Sequence, residues 1–282
     1  MRIIMNSRHS IQGRRIWVTG ASSGIGRALA IELAQQGARV VISGRNQERL
    51  NAVANACKGC EVHVVALDVA NRDGNQAAAE TIRARFGALD SVVLNAGICE
   101  YVDLPVFDTA SIKRVMDINF MGFVYGVEAA LPLLRDGNTP HLVGMSSTVA
   151  YTGLPRAEAY GASKAAIRYF LQSLRVDLLP QGIDVSIICP GFVKTPLTDE
   201  NDFPMPMRIT AEEAARAIRR GMERRAHEIR FPTLFALILR GLAILPSRLR
   251  TFLLKPLSRS EAATRRQASG VRCPRKTESR KI

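Results

Sequence analysis

Six short apolar runs that alternate with longer segments constrain the fold of this chain more than any other feature. Each run has the length and composition of a buried strand, whereas two intervening segments, 25–36 and 108–134, have the length of helices. This alternation predicts a doubly wound α/β fold, in which helices cover both faces of a parallel sheet and ligands bind at the carboxyl ends of the strands. The predicted strands are residues 16–18, 39–43, 62–67, 91–94, 141–145 and 185–189.

Charge is distributed unevenly over the 282 residues. The net charge is +14, but residues 1–199 hold 20 basic and 17 acidic side chains, whereas residues 246–282 hold 11 and 2. The excess therefore belongs to the C-terminus. Residues 260–282 are polar and basic, and we expect them to be disordered. Because no stacking aromatic residues or fold motif accompany this tail, we expect no specific nucleic-acid partner.

Composition excludes several classes of protein. Hydrophobic residues make up 47%, too many for an intrinsically disordered chain, and five cysteines are too few and odd in number for a disulfide scaffold. Because no apolar run reaches the roughly 20 residues of a membrane-spanning helix, the sequence predicts a cytoplasmic protein with reduced thiols. Cys57 and Cys60 lack a second cysteine pair, so we expect no metal site.

A glycine-rich turn, TGASSGIG, occupies residues 19–26 between the first predicted strand and the first predicted helix. Gly20, Gly24 and Gly26 allow the backbone to turn tightly and to approach a pyrophosphate, which the free N–H groups at the start of the helix attract. The spacing differs from the general dinucleotide fingerprint, and a plain strand–helix connection is the alternative. The position of the turn favours a nucleotide site.

The end of the second predicted strand indicates which nucleotide binds. An NAD site requires a carboxylate about 20 residues beyond the glycine turn, where it accepts a hydrogen bond from the ribose 2′-hydroxyl. Gly44 occupies that place, and Arg45 follows it. A guanidinium can bind a 2′-phosphate through two hydrogen bonds, so Arg45 favours NADP. The alternative is that Arg45 is only a surface residue.

A tyrosine and a lysine in the segment YGASK are spaced to act together. Tyr160 and Lys164 are four residues apart, so their side chains share one face of a helix. A nearby ammonium favours phenolate and is expected to lower the pKa of Tyr160. Ser147 lies 13 residues before Tyr160, just after the fifth predicted strand, where its hydroxyl would face the same helix. These three side chains are the candidate catalytic group.

Several motifs, in order along about residues 13–200, resemble those of the short-chain dehydrogenase/reductase family, of the type with catalytic Ser, Tyr and Lys. The family has a Rossmann-like fold. In it, Asn119 would join Ser147, Tyr160 and Lys164 as a fourth catalytic residue. The resemblance and the glycine turn together give the candidate cofactor-binding residues, which are Gly20, Ser22, Ser23, Gly24, Ile25, Gly26, Arg45, Asp68, Val69, Asn95, Ala96, Gly97, Tyr160, Lys164, Pro190, Gly191, Val193 and Thr195.

The resemblance implies an NADP-dependent oxidoreductase that interconverts a carbonyl and a secondary alcohol. Tyr160 would exchange the proton, Ser147 would hydrogen-bond the reacting oxygen, and Lys164 would hold the nicotinamide ribose. Asn119 would support a water that links Lys164 to solvent. Family members commonly form homodimers or homotetramers. Two alternatives remain open: an NAD-dependent alcohol dehydrogenase of the same fold, and a non-catalytic nucleotide-sensing scaffold.

The two ends of the chain lie outside the predicted catalytic domain, which covers residues 13–230 and follows an N-terminal extension at 1–12. We expect a substrate lid near 195–210, and its apolar, Met-rich segment favours a lipophilic substrate. Residues 231–259 are apolar and basic and are predicted to form a helical extension. Three roles remain open for this extension: peripheral contact with a membrane, a cover over the pocket, or a contact with another subunit.

Overall fold

Seven parallel strands form one sheet in the computed structural model, which describes residues 9–102, 107–199, 201 and 203–258. The strands are β1 (Arg15–Thr19), β2 (Arg39–Gly44), β3 (Val62–Ala66), β4 (Ser91–Leu94), β5 (His141–Met145), β6 (Asp184–Pro190) and β7 (Glu228–Phe231). Their order across the sheet is β3-β2-β1-β4-β5-β6-β7, and every neighbouring pair is parallel. The doubly wound α/β prediction is confirmed, and the first six strands lie where the sequence predicts them.

Helices cover both faces of the sheet. In chain order they are α1 (Gly24–Gln35), α2 (Gln47–Ala56), α3 (Arg72–Phe86), α4 (Thr109–Met116), α5 (Gly122–Arg135), α6 (Glu158–Leu178), α7 (Pro196–Asp199), α8 (Ala211–Glu223), α9 (Thr233–Ile244) and α10 (Ser247–Leu254). One apolar core joins α1, α2 and α8 to one face of the sheet, and a second joins α3, α5 and α6 to the other. The sheet is thus buried on both sides, as its nearly uninterrupted apolar strands require.

The strand β1 lies inside the sheet, between β2 and β4, and is anchored at its amino end. The guanidinium of Arg15 donates to Asp90 Oδ1 at 2.8 Å, and the Arg15 backbone N–H donates to Asp90 Oδ2 at 2.9 Å. Within the core, Trp17 Nε1 donates to Ser43 Oγ at 2.8 Å and ties β1 to β2. Because the chain winds away in opposite directions from β1 and β4, a crevice opens between their carboxyl ends.

The segment 108–134, predicted as one helix, is two helices joined by a π-helical turn at Asp117–Met121. The turn holds Asn119, whose side chain is fully buried. A π-helical turn adds one residue to the helix and is often found at a functional site. Sequence periodicity predicts one helix here because a single added residue disturbs the apolar repeat very little.

The strand β7 was not among the predicted strands, and it brings the sheet to Phe231. It pairs with β6 in a register that runs from Ile187 opposite Glu228 to Pro190 opposite Phe231. The strand has only four residues, two of them charged, so it lacks the apolar run that marks the other six. The predicted boundary at 230 therefore falls inside this strand. Residues 1–8 and 259–282, which include most of the predicted N-terminal extension and the basic tail, lie outside the described residues.

The helices α9 and α10 follow β7 in the region where the sequence predicts a helical extension. α9 packs against β7 and against a short 3-10 turn at Thr148–Tyr151. Of all the helices in the described part of the chain, none is both long enough and apolar enough to cross a membrane.

Two helical glycines give opposite predictions for stability. A Cβ on Gly221 of α8 would lie 2.5 Å from Ile229 Cγ1 of β7, whereas nothing lies within 4 Å of the corresponding position at Gly241 of α9. We expect Gly221→Ala to lower the free energy of unfolding by roughly 1–3 kcal/mol through overpacking. Gly241→Ala should raise it by up to about 1 kcal/mol, because alanine favours the helix. Urea unfolding measures both; a stabilising Gly221→Ala would show that α8 and β7 are not so closely packed.

Candidate active site

A cavity of about 260 Å³ opens at the carboxyl ends of the strands and is lined by residues from both sides of the β1–β4 crevice. The structure brings most of the candidate cofactor residues together around it. Gly191 lines a neighbouring cavity instead, and Val193 lines neither, since it is buried and forms a β-bridge with Ile209. The candidate residues around the first cavity are Gly20, Ser22, Ser23, Gly24, Ile25, Gly26, Arg45, Asp68, Val69, Asn95, Ala96, Gly97, Tyr160, Lys164, Pro190 and Thr195.

The glycine turn forms one wall of this cavity. Gly20 and Gly24 have φ values of +66° and +54°, in the left-handed region that favours glycine. Asn95 lies behind the turn, and its Nδ2 donates to the carbonyl oxygens of Thr19 at 2.9 Å and Gly20 at 3.2 Å. A Cβ on Gly26 would lie 2.3 Å from Gly20 O and 2.4 Å from Asn95 Nδ2. The first turn of α1 can therefore approach β1 and β4 only with glycine at position 26.

The far end of the cavity lies beside β2 and β3. Gly44 ends β2, so no carboxylate stands at the place where an NAD site requires one, and the exposed side chain of Arg45 lines the cavity next to it. Asp68 follows β3 and is also exposed, with its Oδ1 accepting a hydrogen bond from Ala70 N at 3.1 Å. At this end of the cavity, the guanidinium of Arg45 and the carboxylate of Asp68 thus lie just beyond the ends of β2 and β3.

Ser147 and Tyr160 meet beyond the other end of the cavity, where Ser147 lines a neighbouring cavity. Ser147 follows β5, and its Oγ donates to Pro190 O at 3.4 Å and accepts from Val149 N at 3.2 Å. These contacts fix a largely buried hydroxyl against the end of β6. Tyr160, near the start of α6, lines both this cavity and the neighbouring one. The spacing of these residues in the sequence predicts this meeting.

The expected lowering of the Tyr160 pKa is not found. Burial raises the pKa of Tyr160, with a further rise from nearby Cys99, and a hydrogen bond with Ser147 opposes them only in part. Lys164 has less influence than predicted because its Nζ donates to Met145 O at 3.0 Å and lies 5.7 Å from the centre of the Tyr160 ring. Burial also lowers the pKa of Lys164 to about 8.

Asn119 supports the catalytic helix. Its Nδ2 donates to Ser163 Oγ at 3.0 Å, and Ser163 Oγ donates in turn to Tyr160 O at 2.7 Å. Its remaining bonds, to Ile98 N at 2.8 Å and Ile98 O at 2.9 Å, hold the loop after β4. The π-helical turn thus ties that loop to the first turn of α6, which holds Tyr160, one of the candidate catalytic residues.

The neighbouring cavity is larger, about 480 Å³, and its walls are mostly apolar. It meets the first cavity at Tyr160. Phe192, Phe203 and Phe235 form part of its wall, with ring centres 5.3 Å apart for Phe192 and Phe235 and 6.0 Å apart for Phe192 and Phe203. Its lining also includes Tyr101, which sequence reasoning did not single out, and Leu197 of the expected substrate lid. The remaining residues belong to the predicted extension at 231–259, for which a cover over the pocket was one of three open roles; they are Phe235, Leu239, Leu242, Leu254 and Leu257.

No group of three or more His, Cys, Asp or Glu residues suited to a metal ion occurs in the described ranges. Cys57 is buried and Cys60 half-buried, and both are free thiols. Burial raises the pKa of Cys57, which disfavours the thiolate that metal binding requires.

The family model for short chain dehydrogenase matches residues 14–204, which contain the glycine turn and all four candidate catalytic residues. The chain belongs to this family. An oxidoreductase of Myxococcus xanthus is 38% identical over 236 residues, covering 83% of this chain and 93% of the relative. The 11-beta-hydroxysteroid dehydrogenase A of Sesamum indicum is 36% identical over 207 residues, covering 72% of this chain and 59% of the relative.

A solved structure supports the same membership. A short-chain dehydrogenase/reductase from Burkholderia phymatum, in complex with NAD, superposes with a TM-score of 0.75 and 25% identity, covering 82% of this chain and 93% of that one. As a short-chain dehydrogenase, the chain is an oxidoreductase that acts on CH–OH or C=O groups with NAD(P).

The packing around Gly26 predicts that nucleotide binding depends on it. Gly26→Ala would push α1 away from Gly20 and Asn95, so we expect the affinity for NADPH and NADH to fall at least tenfold, on the order of 1.4 kcal/mol or more. Fluorescence titration of the purified dehydrogenase measures this loss. Gly153→Ala is the matched control, because nothing lies within 4 Å of that Cβ position. Undiminished binding by Gly26→Ala would contradict the assignment of the cavity.

Proposed function

We propose that this dehydrogenase uses NADP to interconvert a carbonyl and a secondary alcohol on a lipophilic substrate, with Tyr160 as the acid and base. The observation that carries the proposal is the position of Tyr160, which lines both the glycine-walled cavity and the apolar cavity. A side chain in this position can exchange a proton with a substrate held beside a nucleotide.

The residues around the first cavity fit a nicotinamide nucleotide. Because Gly26 has no side chain, backbone groups at the start of α1 would face a pyrophosphate. Asp68 would bind at the adenine end of the nucleotide. Lys164 and Thr195 would hold the nicotinamide ribose and the carboxamide. When bound, the nicotinamide supplies or accepts the hydride.

Arg45 and Gly44 support NADP rather than NAD. An aspartate or glutamate at the end of β2 would repel a 2′-phosphate, and Gly44 leaves that place without charge. The Arg45 guanidinium lines the same part of the cavity and would pair with the phosphate. NAD is the second candidate, because the similar structure from Burkholderia phymatum holds NAD.

During reduction, Tyr160 donates its hydroxyl proton to the carbonyl oxygen as that oxygen becomes an alkoxide; during oxidation the proton returns to it. The raised pKa of Tyr160 keeps the phenol neutral at pH 7, which is the form that donates. Ser147 donates a hydrogen bond to the same oxygen and stabilises the developing charge. Lys164 is mostly protonated at pH 7 and stabilises the phenolate that remains.

The apolar cavity supports a lipophilic substrate. Its volume of about 480 Å³ lies within the usual range for small-molecule sites, and its mostly apolar walls include five aromatic and six leucine residues. The relative from Sesamum indicum is described as a hydroxysteroid dehydrogenase, which agrees with a substrate of this class. A scaffold that only senses nucleotides would have no need of Asn119, Ser147, Tyr160 and Lys164, all of which are present.

Removing the phenolic hydroxyl separates catalysis from nucleotide binding. We expect Tyr160→Phe to lower kcat by a factor of about 10² to 10⁴, the usual contribution of general acid–base catalysis. NADPH affinity should stay within about twofold, since the ring and its packing are kept. NADPH consumption on a panel of lipophilic ketones measures the first, and fluorescence titration the second. Near-normal turnover by Tyr160→Phe would refute the role of this residue.

The choice of nucleotide is tested at the end of β2. Arg45→Ala should weaken NADPH binding by roughly tenfold to a hundredfold, the effect of losing a charge-assisted bond, and leave NADH binding unchanged. Gly44→Asp should reverse the preference, since a Cβ at position 44 would have room, with Ser22 Oγ as its nearest neighbour at 3.5 Å. Dissociation constants of both nucleotides for each variant provide the measurement. Equal losses for NADPH and NADH in Arg45→Ala would argue against a 2′-phosphate contact.

A further inference from the structure

The C-terminal helix pair, here residues 233–257 with α9 and α10, exposes an unusual amount of apolar surface. Of the fifteen large apolar side chains that are exposed in the described part of the chain, eight belong to this pair. On α9 they are Leu234, Leu237, Ile238 and Ile244, which at 100° per residue fall within about 120° of one another and so share one side of the helix. The eight are Leu234, Leu237, Ile238, Ile244, Leu249, Phe252, Leu253 and Leu257.

The opposite side of the helix pair is part of the fold. Ala236 and Leu239 are buried against the domain, and Phe235, Leu239, Leu254 and the partly exposed Leu257 line the apolar cavity. The helix pair is therefore apolar on two sides, one facing the cavity and the other facing solvent. A helix that only covered a pocket would have a polar outer side.

Charge distinguishes between the surfaces that could cover the outer side. Residues 229–260 include no Asp or Glu and six Arg or Lys. On the helix pair itself, Arg248 is exposed beside the apolar side chains, whereas Arg240 lies 3.6 Å from a carboxylate oxygen of Glu228 in β7. A second copy of the chain, docked through the same patch about a twofold axis, would bring two basic segments toward each other, and neither segment contains an Asp or Glu. An anionic lipid surface would neutralise them.

We propose that the C-terminal helix pair docks on an anionic phospholipid surface. The outer apolar side chains enter the interface between headgroups and acyl chains, and Arg248, which lies beside them, contacts the lipid phosphates. The inner side chains line the apolar cavity, so a lipophilic substrate would pass between bilayer and cavity beside α9 and α10. This last step rests on the proposed function, whereas docking itself does not.

Vesicle co-sedimentation of the full-length protein tests the docking. The test variant is Leu237→Ser, Ile244→Ser and Phe252→Ser, whose wild-type side chains are 50%, 85% and 72% exposed and line neither cavity. The matched control is Tyr169→Ser, Val176→Ser and Leu179→Ser, which are 75%, 71% and 72% exposed elsewhere. The basic tail is kept in every protein, so its charge does not differ between them.

The anionic vesicles consist of phosphatidylcholine with about one third phosphatidylglycerol. We expect the wild type and the control to bind them with an affinity at least tenfold higher than their affinity for pure phosphatidylcholine vesicles. The test variant should bind the anionic vesicles at least tenfold more weakly than the wild type, because three apolar side chains no longer enter the interface. Unchanged NADPH binding and an unchanged melting temperature show that the variant is folded; if it is not, Phe252→Ser alone replaces it.

Three outcomes would overturn the proposal. No binding of the wild type to anionic vesicles would show that the face does not meet lipid. Equal binding by the test variant would assign the attraction to charge alone. A loss of oligomers in the test variant, with vesicle binding unchanged, would show that a second copy covers the face. None of these assays needs turnover, so their failure leaves the oxidoreductase proposal to be judged by its own assays with a soluble ketone.

Discussion

The side chain of Asn95 holds the two halves of the sheet together at the point where they diverge. Its amide bonds the carbonyls of Thr19 and Gly20, and its backbone N–H donates to Thr19 Oγ1 at 3.0 Å. β1, β4 and the glycine turn are thereby fixed as one unit, and α1 packs on it through Gly26. The nucleotide cavity is the space that this unit leaves open, so its shape depends on a single amide side chain and on the absence of a side chain at Gly26.

The burial of Tyr160 and Lys164 determines the charge of both side chains. Burial favours neutral groups, and it both raises the pKa of Tyr160 and lowers that of Lys164. The lysine keeps its charge at pH 7 only because its shift stops near 8, and its donation to Met145 O holds it on the helix face that it shares with Tyr160. Burial thus keeps Tyr160 neutral and able to donate a proton, next to the positively charged Lys164. The proposed carbonyl reduction uses this combination. The hydrogen bonds from Asn119 through Ser163 hold that face in position.

The sequence predicted what short-range patterns determine and missed what depends on distant contacts. Apolar runs predicted β1 to β6. The glycine turn and the family resemblance together predicted most of the residues that surround the first cavity, and the spacing of Tyr160 and Lys164 predicted their shared helix face. The strand β7 was not predicted, because its stability comes from pairing with β6 and from the buried Ile229 and Phe231, not from a long apolar run. The direction of the Tyr160 pKa was predicted wrongly because spacing gives a neighbour but does not give the extent of burial.

The lining of the second cavity was also not predicted residue by residue, because it too depends on contacts between residues that are distant in the sequence. Residues such as Phe235 and Leu254 are separated from Tyr160 by over seventy positions, and only the turn of the chain after β7 brings them beside it. A stretch that must line a lipophilic cavity needs apolar residues on its inner side alone. On the outer side, Leu237, Ile244 and Arg248 continue the apolar and cationic pattern; among the described residues they are exposed and line neither cavity. That pattern therefore calls for a surface outside the molecule, and its composition fits the edge of a lipid bilayer.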